Sequence, residues 1–249
     1  MKDPNALFDL SGKIALVTGG SRGLGLEMAQ AFAARGADLI IASRKLDACE
    51  AAAEKIRALG RQALALQVHA GRWEDIDRML DAAYQRFGRI DILVNNAGMS
   101  PAEESHKVSE KLFDSVVNLN FKGPFRLAAK VAERMRAGEG GVIINISSSA
   151  ATRPSSPGIV VYGAAKAAMN AMTESMAREY APKVRINGIA PGPFLTDIAE
   201  AWPEELRRSR PNALGRPGQP QEIVTAALYL ASVASSFTTG SMIAVDGGL

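Results

Sequence analysis

Short apolar runs alternate with longer amphipathic segments along the chain. The runs are rich in β-branched residues and lie at 13–17, 38–42, 63–68, 90–94, 142–146, 184–189 and 242–245. Runs that are apolar on both faces are typical of parallel strands covered on both sides by helices. The pattern therefore predicts an α/β fold, a doubly wound parallel sheet of seven strands with helices on both faces.

Two of the amphipathic segments have recognisable helix ends. Residues 24–34 and 46–59 are followed by Gly36 and Gly60, and glycine readily adopts the left-handed conformation that closes many helices. We therefore expect helices that end at these glycines. No linker rich in Pro, Ser or Gly divides the chain, so we expect one domain over residues 1–249.

Composition narrows the class of protein only slightly. Lys and Arg total 29 against 26 Asp and Glu, spread along the chain, so no nucleic-acid partner is expected. No apolar run approaches the roughly 20 residues of a membrane helix, so no membrane association is expected. Residues 1–13 lack the apolar core of a signal peptide, and the single cysteine, Cys49, can form no internal disulfide. These features predict a cytoplasmic location.

A glycine cluster follows the first predicted strand. The sequence TGGSRGLG places three glycines, with the spacing GxxxGxG, where the strand meets the first helix. At this junction of a Rossmann-type fold the backbone turns tightly and approaches the pyrophosphate of a dinucleotide. The alternative is a glycine turn without a ligand. The cluster predicts a dinucleotide site that includes Gly19, Ser21, Arg22, Gly23, Leu24 and Gly25.

The end of the second strand favours NADP(H) over NAD(H). In dinucleotide-binding folds an acidic residue there binds the adenosine ribose and repels a 2′-phosphate. This chain has Ser43 and Arg44 instead, and Arg22 is expected to project toward the same region. Charge-assisted hydrogen bonds of about 1.5 to 3 kcal/mol each would favour NADP(H) by about two orders of magnitude. The alternative is that both arginines are solvated surface residues.

Tyr162 and Lys166 lie four residues apart in YGAAK, so their side chains share one face of a helix. Hydride reduction of a carbonyl leaves an alkoxide, which a tyrosine can protonate if its pKa falls toward neutrality. A shift of about three units requires about 4 kcal/mol. A lysine charge about 5 Å away supplies about 3 kcal/mol at an effective dielectric constant near 20. The positive nicotinamide ring of an oxidised cofactor can supply the remainder. The pair therefore predicts acid/base chemistry, and the alternative is a chance pairing on an amphipathic helix.

Further motifs appear in a fixed order. They are NNAG at 95–98, NFKG with Asn120, NISSSA, PGPFLT at 191–196, GRPGQPQEI and VDGG. With TGGSRGLG and YGAAK, they make essentially the whole chain resemble the short-chain dehydrogenase/reductase family, in its compact single-domain branch. The N-terminal part is similar to 3-oxoacyl reductases and sugar-acid dehydrogenases. The resemblance implies an NADP(H)-dependent oxidoreductase that transfers hydride between nicotinamide and a carbonyl or secondary alcohol, and a homotetramer.

The resemblance also implies roles for four residues. Tyr162 would be the acid/base, and Lys166 would lower its pKa and bind the nicotinamide ribose. Ser148 would orient the substrate carbonyl, and Asn120 would hold a water that connects Lys166 to solvent. Counting back from Tyr162 favours Ser149 instead. Because the buried strand fixes the register and a loop absorbs an extra residue easily, we assign Ser148 and place the insertion within 152–158.

The remaining cofactor contacts follow from the same resemblance. It implies that Asn96, Ala97 and Gly98 lie beside the adenosine, and that Pro191, Gly192, Phe194 and Thr196 lie at the nicotinamide carboxamide. His69 stands where the family usually has an adenine-contacting aspartate, and a neutral imidazole offers one hydrogen bond. The alternatives are a turn residue at Asn96, a helix cap at Thr196 and a kink-stabilising residue at Asn120. No metal is expected, because His69, His106 and Cys49 have no partners at ligand spacing.

The substrate is a small molecule whose identity the sequence leaves open. We expect its pocket to be lined by 99–102, 150–159 and a lid at about 194–211. The lid holds Trp202 among acidic residues and arginines, a mixture that favours no substrate charge. The alternative function is a non-catalytic NADP(H)-binding sensor or scaffold on the same fold.

Overall fold

The computed structural model describes residues 4–153 and 157–249. Over these residues the chain forms a parallel sheet of seven strands: β1 (Ile14–Thr18), β2 (Asp38–Ser43), β3 (Ala63–Gln67), β4 (Ile92–Asn95), β5 (Gly141–Ile146), β6 (Val184–Pro191) and β7 (Met242–Val245). Each predicted run coincides with a strand to within two residues at either end. The predicted fold class is confirmed.

The strand order is β3-β2-β1-β4-β5-β6-β7. Strand β1 lies between β2 and β4, with Val17 opposite Ile41 on one side and Val94 on the other. Strands β2 and β3 are added on one side of β1, and β4 to β7 on the other, so the order of the strands reverses between β1 and β4. Open α/β sheets bind ligands in the crevice that forms at such a point. The glycine loop after β1 and the NNAG segment at the end of β4 therefore lie side by side.

Helices cover both faces of the sheet. They are α1 (Gly23–Ala34), α2 (Leu46–Arg57), α3 (Trp73–Phe87), α4 (Glu110–Val117), α5 (Gly123–Ala137), α6 (Val160–Glu179), α7 (Glu204–Arg208) and α8 (Val224–Ala231). Among the described residues, no helix combines the length and apolar character that crossing a bilayer requires.

The helices pack on the sheet through two apolar cores, one on each face. One contains buried side chains of α1, α2 and α8, such as Phe32, Ile56 and Leu230. The other contains side chains of α3, α5 and α6, such as Leu127 and Met169. Each fully buried aliphatic or aromatic side chain contributes about 1.5 to 3 kcal/mol of transfer free energy. The sheet is therefore fixed from both sides, which holds the loops at its carboxyl edge in place.

The glycines predicted to close two of the helices have the expected backbone conformation. Gly36 and Gly60 both have left-handed backbone conformations, with φ of 98° and 77°. Helix α2 ends at Arg57, two residues before the predicted end. Between α4 and α5, residues Asn118–Lys122 form a π-helical turn instead of continuing one regular helix. Such turns occur frequently at functional sites.

Candidate active site

Ser148, Tyr162 and Lys166 meet at the carboxyl end of β5. Ser148 lies two residues after β5, and Tyr162 lies in the first turn of α6 with Lys166 one turn later. The Lys166 Nζ lies 5.8 Å from the centroid of the Tyr162 ring. The structure therefore brings together three of the four residues predicted to be catalytic.

The Tyr162 phenol is in a largely desolvated position. Burial raises its pKa above the usual value, and hydrogen bonding with the Ser148 side chain acts in the opposite direction. That Lys166 lowers the pKa of Tyr162 during the reaction stays a prediction.

The environment of Lys166 determines how readily it carries a charge. Its side chain is buried, and its Nζ donates a hydrogen bond to the Ile146 carbonyl oxygen at 2.7 Å. Burial lowers the pKa of Lys166 from 10.5 to about 7. The side chain is therefore not the permanent cation that the sequence suggested, because its charged form has lost most of its hydration.

The structure distinguishes the neighbouring serines. The Ser147 hydroxyl donates to the Asn170 side chain, and Ser149 is buried at the start of the 3-10 turn Ser149–Ala151. Ser148 is the serine whose hydroxyl interacts with Tyr162, and its Oγ also accepts from the Ala150 amide at 3.1 Å. This geometry supports Ser148. The loop insertion predicted within 152–158 includes residues 154–156, which lie outside the described residues.

Asn120 lies buried in the π-helical turn. Its Nδ2 donates to the Met99 and Val116 carbonyl oxygens, both at 2.9 Å, and its Oδ1 accepts from the Met99 amide at 3.3 Å. A Cβ at Gly98 would lie 2.8 Å from this Oδ1 and 3.6 Å from the Lys166 Nζ. Asn120 thus ties the segment after β4 to the helices beside Lys166. The bound water stays a prediction, and one lone pair of Oδ1 is available for it.

The glycine loop forms a tight cradle. Gly19 and Gly23 have φ of 64° and 54°, and a Cβ at Gly25 would overlap the Gly19 carbonyl oxygen. The Asn96 Nδ2 donates to the Thr18 and Gly19 carbonyl oxygens at 2.9 and 3.2 Å. The alternative that Asn96 serves only in its own turn is therefore wrong, because Asn96 joins the loop after β4 to the cradle.

The cradle fits a dinucleotide pyrophosphate. Helix α1 begins at Gly23, and Arg22 at its N-cap position provides no side-chain hydrogen bond to the helix. The first amides of an uncapped helix are donors that an anion can satisfy. Ser21 lies in the loop before these amides, and Leu24 in the first turn packs against the core. The Ala97 amide donates to the Thr18 hydroxyl at 3.2 Å, which fixes the opposite wall.

The two arginines of the predicted phosphate site differ. Arg44 is exposed just after β2, and within the described part of the chain it forms no ion pair. Arg22, which was predicted to project toward the same region, pairs with Asp197 at 3.1 Å, the two side chains being 66% and 47% exposed. The ion pair of Arg22 with Asp197 joins the glycine loop to the segment 194–211. Ser43, at the end of β2, hydrogen-bonds through its Oγ with the Cys49 Sγ at 3.0 Å.

His69 is held in the turn after β3. Its Nδ1 accepts a hydrogen bond from the Gly71 amide at 3.2 Å, and its own amide donates to the Asp75 carboxylate at 3.2 Å. Because Nδ1 acts as an acceptor, the neutral ring carries its proton on Nε2. This side chain can therefore donate one hydrogen bond to a ligand.

The predicted carboxamide site follows β6. Pro191 is the last residue of β6, the Gly192 amide donates to the Val245 carbonyl oxygen at 2.9 Å, and Phe194 is buried. Thr196 precedes a 3-10 helix, but its side chain makes no capping hydrogen bond. The helix-cap alternative for Thr196 is therefore wrong. Its Cγ2 instead lies 3.4 Å from the position of a Cβ at Gly23.

A small cavity opens beside Tyr162. Its lining includes Pro101 and Gly158 from two predicted segments, and also Val108 just before α4 and Leu112 and Val116 within it. Sequence reasoning missed these three residues, although Leu112 and Val116, four residues apart, lie on one face of the helix. A larger surface cavity near Glu174 and Thr239 contains none of the predicted site residues. Among the described residues, no group of three or more His, Cys, Asp or Glu side chains could hold a metal ion.

Comparison with known proteins agrees with this geometry. The family model for short chain dehydrogenases matches residues 13–207. The chain belongs to this family. An uncharacterized oxidoreductase of Mycobacterium tuberculosis is 41% identical over 248 residues, which cover 98% of this chain and 94% of that protein.

Two solved structures of family members are similar over the whole chain. A 7α-hydroxysteroid dehydrogenase complexed with NADH and 7-oxo glycochenodeoxycholic acid is 34% identical, with a TM-score of 0.94, covering 100% of this chain and 98% of that one. A 3-oxoacyl (acyl-carrier-protein) reductase from Agrobacterium tumefaciens C58 with NADP bound is 31% identical, with a TM-score of 0.92 and coverage of 100% and 98%. Family membership therefore supports hydride transfer on CH–OH or C=O groups of small molecules with a nicotinamide cofactor.

Proposed function

We propose that this enzyme uses NADP(H) to interconvert a carbonyl and a secondary alcohol, with Tyr162 as acid/base. The observation that carries the proposal is the meeting of Ser148, Tyr162 and Lys166 beside the glycine cradle at one edge of the sheet. The bound cofactor supplies or accepts the hydride. A sensor or scaffold would have no use for a desolvated phenol beside a hydroxyl donor and a buried lysine.

The side chains at the site have separate roles in the reaction. In the reducing direction the Ser148 hydroxyl donates a hydrogen bond to the substrate carbonyl oxygen, and Tyr162 delivers a proton to that oxygen as negative charge develops on it. The apolar side chains of α4 and the loop at Pro101 exclude water around this oxygen. Protonated Lys166 stabilises the tyrosinate left behind, because the charge of its ammonium is weakly screened in a buried position.

Preference for NADP(H) rests on the end of β2. Because Ser43 takes the position of the usual acidic residue, no carboxylate there repels a 2′-phosphate. Arg44 is exposed and can reach such a phosphate. The ion pair of Arg22 with Asp197 is solvent-exposed, and such pairs contribute about 1 kcal/mol or less. A phosphate with two charges can therefore displace Asp197. The related 3-oxoacyl reductase with NADP bound supports this choice, whereas the hydroxysteroid dehydrogenase structure contains NADH.

The predicted organisation belongs to the same proposal. Residues 1–249 form one domain, in which 194–211 covers the substrate, and the enzyme works as a cytoplasmic homotetramer without nucleic-acid or membrane partners. Exposed Phe113 of α4 and Phe125 of α5 give the helices beside the π-helical turn an apolar surface that suits subunit contact. Light scattering coupled to gel filtration tests the tetramer, and a monomeric mass at working concentration contradicts it.

The experiment is a screen of ketones and alcohols by NADPH absorbance, followed by Tyr162→Phe on each accepted substrate. The variant should lose at least about two orders of magnitude in kcat, the range for general acid catalysis, while NADPH binding is kept. Tyr84→Phe is the matched control, because Tyr84 has a buried hydroxyl without a hydrogen-bond partner among the described residues. A Tyr162→Phe enzyme with more than about a tenth of wild-type kcat would show that another group is the acid.

A further inference from the structure

The segment 194–211 contains a guanidinium in an unusual state. Arg210 stacks on Trp202, with its Cζ 3.9 Å from the ring centroid. Its Nε and Nη2 are buried, and among residues 4–153 and 157–249 neither atom has a hydrogen-bond partner. Burial lowers the pKa of Arg210, which reflects the lost hydration of its charge. A charged donor that is removed from water without a partner is destabilising, so such groups are normally paired.

The two free atoms form one edge of the guanidinium. Nε–H and Nη2–H point in parallel and match the two oxygens of a carboxylate. Elsewhere in this chain the same edge is used in that way, because the Arg126 Nε and Nη2 donate to the two Asp77 carboxylate oxygens at 3.1 and 2.6 Å. Arg210 therefore offers a carboxylate site that lacks its carboxylate.

The acidic residues of the segment do not fill this site, and among the described residues neither Glu200 nor Glu205 forms an ion pair with Arg210. Asp197 pairs with Arg22, Glu204 pairs with Arg208, and Glu222 pairs with Arg216. These three carboxylates lie in or just after the same segment, and each is held by a different arginine. The stack on Trp202 also restricts the guanidinium to one plane, so little side-chain freedom is lost when a ligand binds.

Backbone contacts position the stack at the carboxyl edge of the sheet. The Arg210 amide donates to the Gly215 carbonyl oxygen at 3.2 Å, and the Ala213 amide donates to Gly248, just after β7, at 3.2 Å. Gly192, at the end of β6, is bonded to Val245 of β7. Strand β6 pairs with β5, whose end holds Ser148 and Tyr162. The stack and the catalytic residues thus lie on the same edge, where open α/β sheets bind ligands.

We propose that Arg210 and Trp202 form a subsite for a carboxylate of the substrate, so that the preferred substrates are ketones or alcohols that also carry a carboxylate. The inference rests on the proposed function for the chemistry at the other end of the substrate. A single guanidinium balances one negative charge, which fits a carboxylate better than a doubly charged phosphate. Within the described part of the segment, Arg210 is thus the one arginine whose Nε and Nη2 are both buried without a hydrogen-bond partner.

The kinetic test uses oxo-carboxylic acids of graded length, each paired with its methyl ester. For at least one length, the wild-type enzyme should favour the acid by about tenfold or more in kcat/KM, a difference of about 1.4 kcal/mol. Arg210→Gln should remove this preference by lowering kcat/KM for the acid, with the ester changed less than about threefold. Arg210→Lys, which keeps the charge but loses the fork, should give an intermediate ratio. Arg208→Gln removes an exposed charge from the same segment and should keep the wild-type ratio.

A binding measurement separates this inference from the proposed function. The chain has two tryptophans, so in a Trp73→Phe background the fluorescence reports on Trp202. With saturating NADP⁺, which cannot reduce a ketone, the oxo acid should change the emission and the ester should not. Arg210→Gln should abolish the response. A response without turnover of any substrate contradicts the proposed function and supports the subsite.

Three results overturn the subsite. The first is equal kcat/KM for acid and ester at every length in the wild-type enzyme. The second is an Arg210→Gln enzyme, folded by circular dichroism, that keeps the preference for the acid. The third is weakened NADPH binding in Arg210→Gln with an unchanged ratio of acid to ester, which would assign the guanidinium to the cofactor phosphate.

Discussion

Lys166 gives the protein a pH dependence whose sign follows from its position. In the unfolded chain a lysine has a pKa of about 10.4. In the folded protein burial lowers the pKa of Lys166 to about 7. Between these two values the unfolded chain binds one more proton at this position than the folded chain. The free energy of unfolding therefore rises with pH in this window, and below about pH 7 the contribution of Lys166 is constant and unfavourable.

The magnitude follows from the same linkage. One proton difference changes the free energy of unfolding by about 1.4 kcal/mol per pH unit. Because Lys166 is still half protonated near pH 7, the stabilisation between about pH 7 and about pH 9 should amount to roughly 2 kcal/mol. Lys166→Met keeps a side chain of similar length and removes the titrating group. The stability of wild type relative to Lys166→Met should therefore increase by roughly 2 kcal/mol over this range.

Urea unfolding followed by circular dichroism measures this difference, without cofactor and at one protein concentration. Lys183→Met is the matched control, because the Lys183 Nζ also donates to a carbonyl oxygen, that of Gly138 at 3.0 Å, but is exposed. Its stability relative to wild type should not change with pH in this way. Parallel pH profiles for wild type and Lys166→Met would refute the reasoning, since they would mean that Lys166 stays protonated in the folded protein.

Three further predictions test the site. Ser148→Ala should lose at least about tenfold in kcat/KM, about 1.4 kcal/mol of transition-state stabilisation, while Ser149→Ala stays within a few fold; the reverse ranking in folded variants assigns the role to Ser149. Arg44→Asp should reverse the ratio of kcat/KM for NADPH to that for NADH, and equal use of both by wild type contradicts the phosphate site. His69→Asp should stay active, because one neutral hydrogen bond contributes about 0.5 to 1.5 kcal/mol and aspartate can accept from the Gly71 amide; loss of all cofactor binding in a folded variant contradicts this.

Alternation of apolar runs with amphipathic segments was sufficient to predict the sheet. The five central strands are buried almost throughout and leave continuous apolar runs, so they could be predicted without tertiary information. The edge strands β3 and β7 are partly exposed but still consist mainly of apolar residues. The site could be predicted for a related reason. Ser148 and Gly19 follow different strands, but parallel strands bring their carboxyl ends to one edge, so residues far apart in sequence lie together.

Side-chain environment could not be predicted in the same way. The partner of Arg22 is Asp197, 175 residues away, and nothing local to either residue indicates the contact. The pKa of Lys166 depends on how completely α6 and the segment after β4 cover its Nζ, which spacing along one helix does not reveal. Arg210 is similar: three arginines of one short segment look alike in sequence, and packing on Trp202 makes one of them different.

The interlocked cradle at the end of β1 limits how this enzyme can be redesigned. Gly19, Gly25 and Asn96 pack so closely that a Cβ at either glycine would come within 2.8 Å of the Asn96 Nδ2. No larger side chain therefore fits at either glycine without displacing its neighbours. Positions 43 and 44 have no such constraint, since Ser43 is partly accessible and Arg44 is exposed. A combinatorial library intended to change the coenzyme should therefore randomise 43 and 44 and keep the cradle fixed, because most variation in the cradle would yield clones that cannot form the turn.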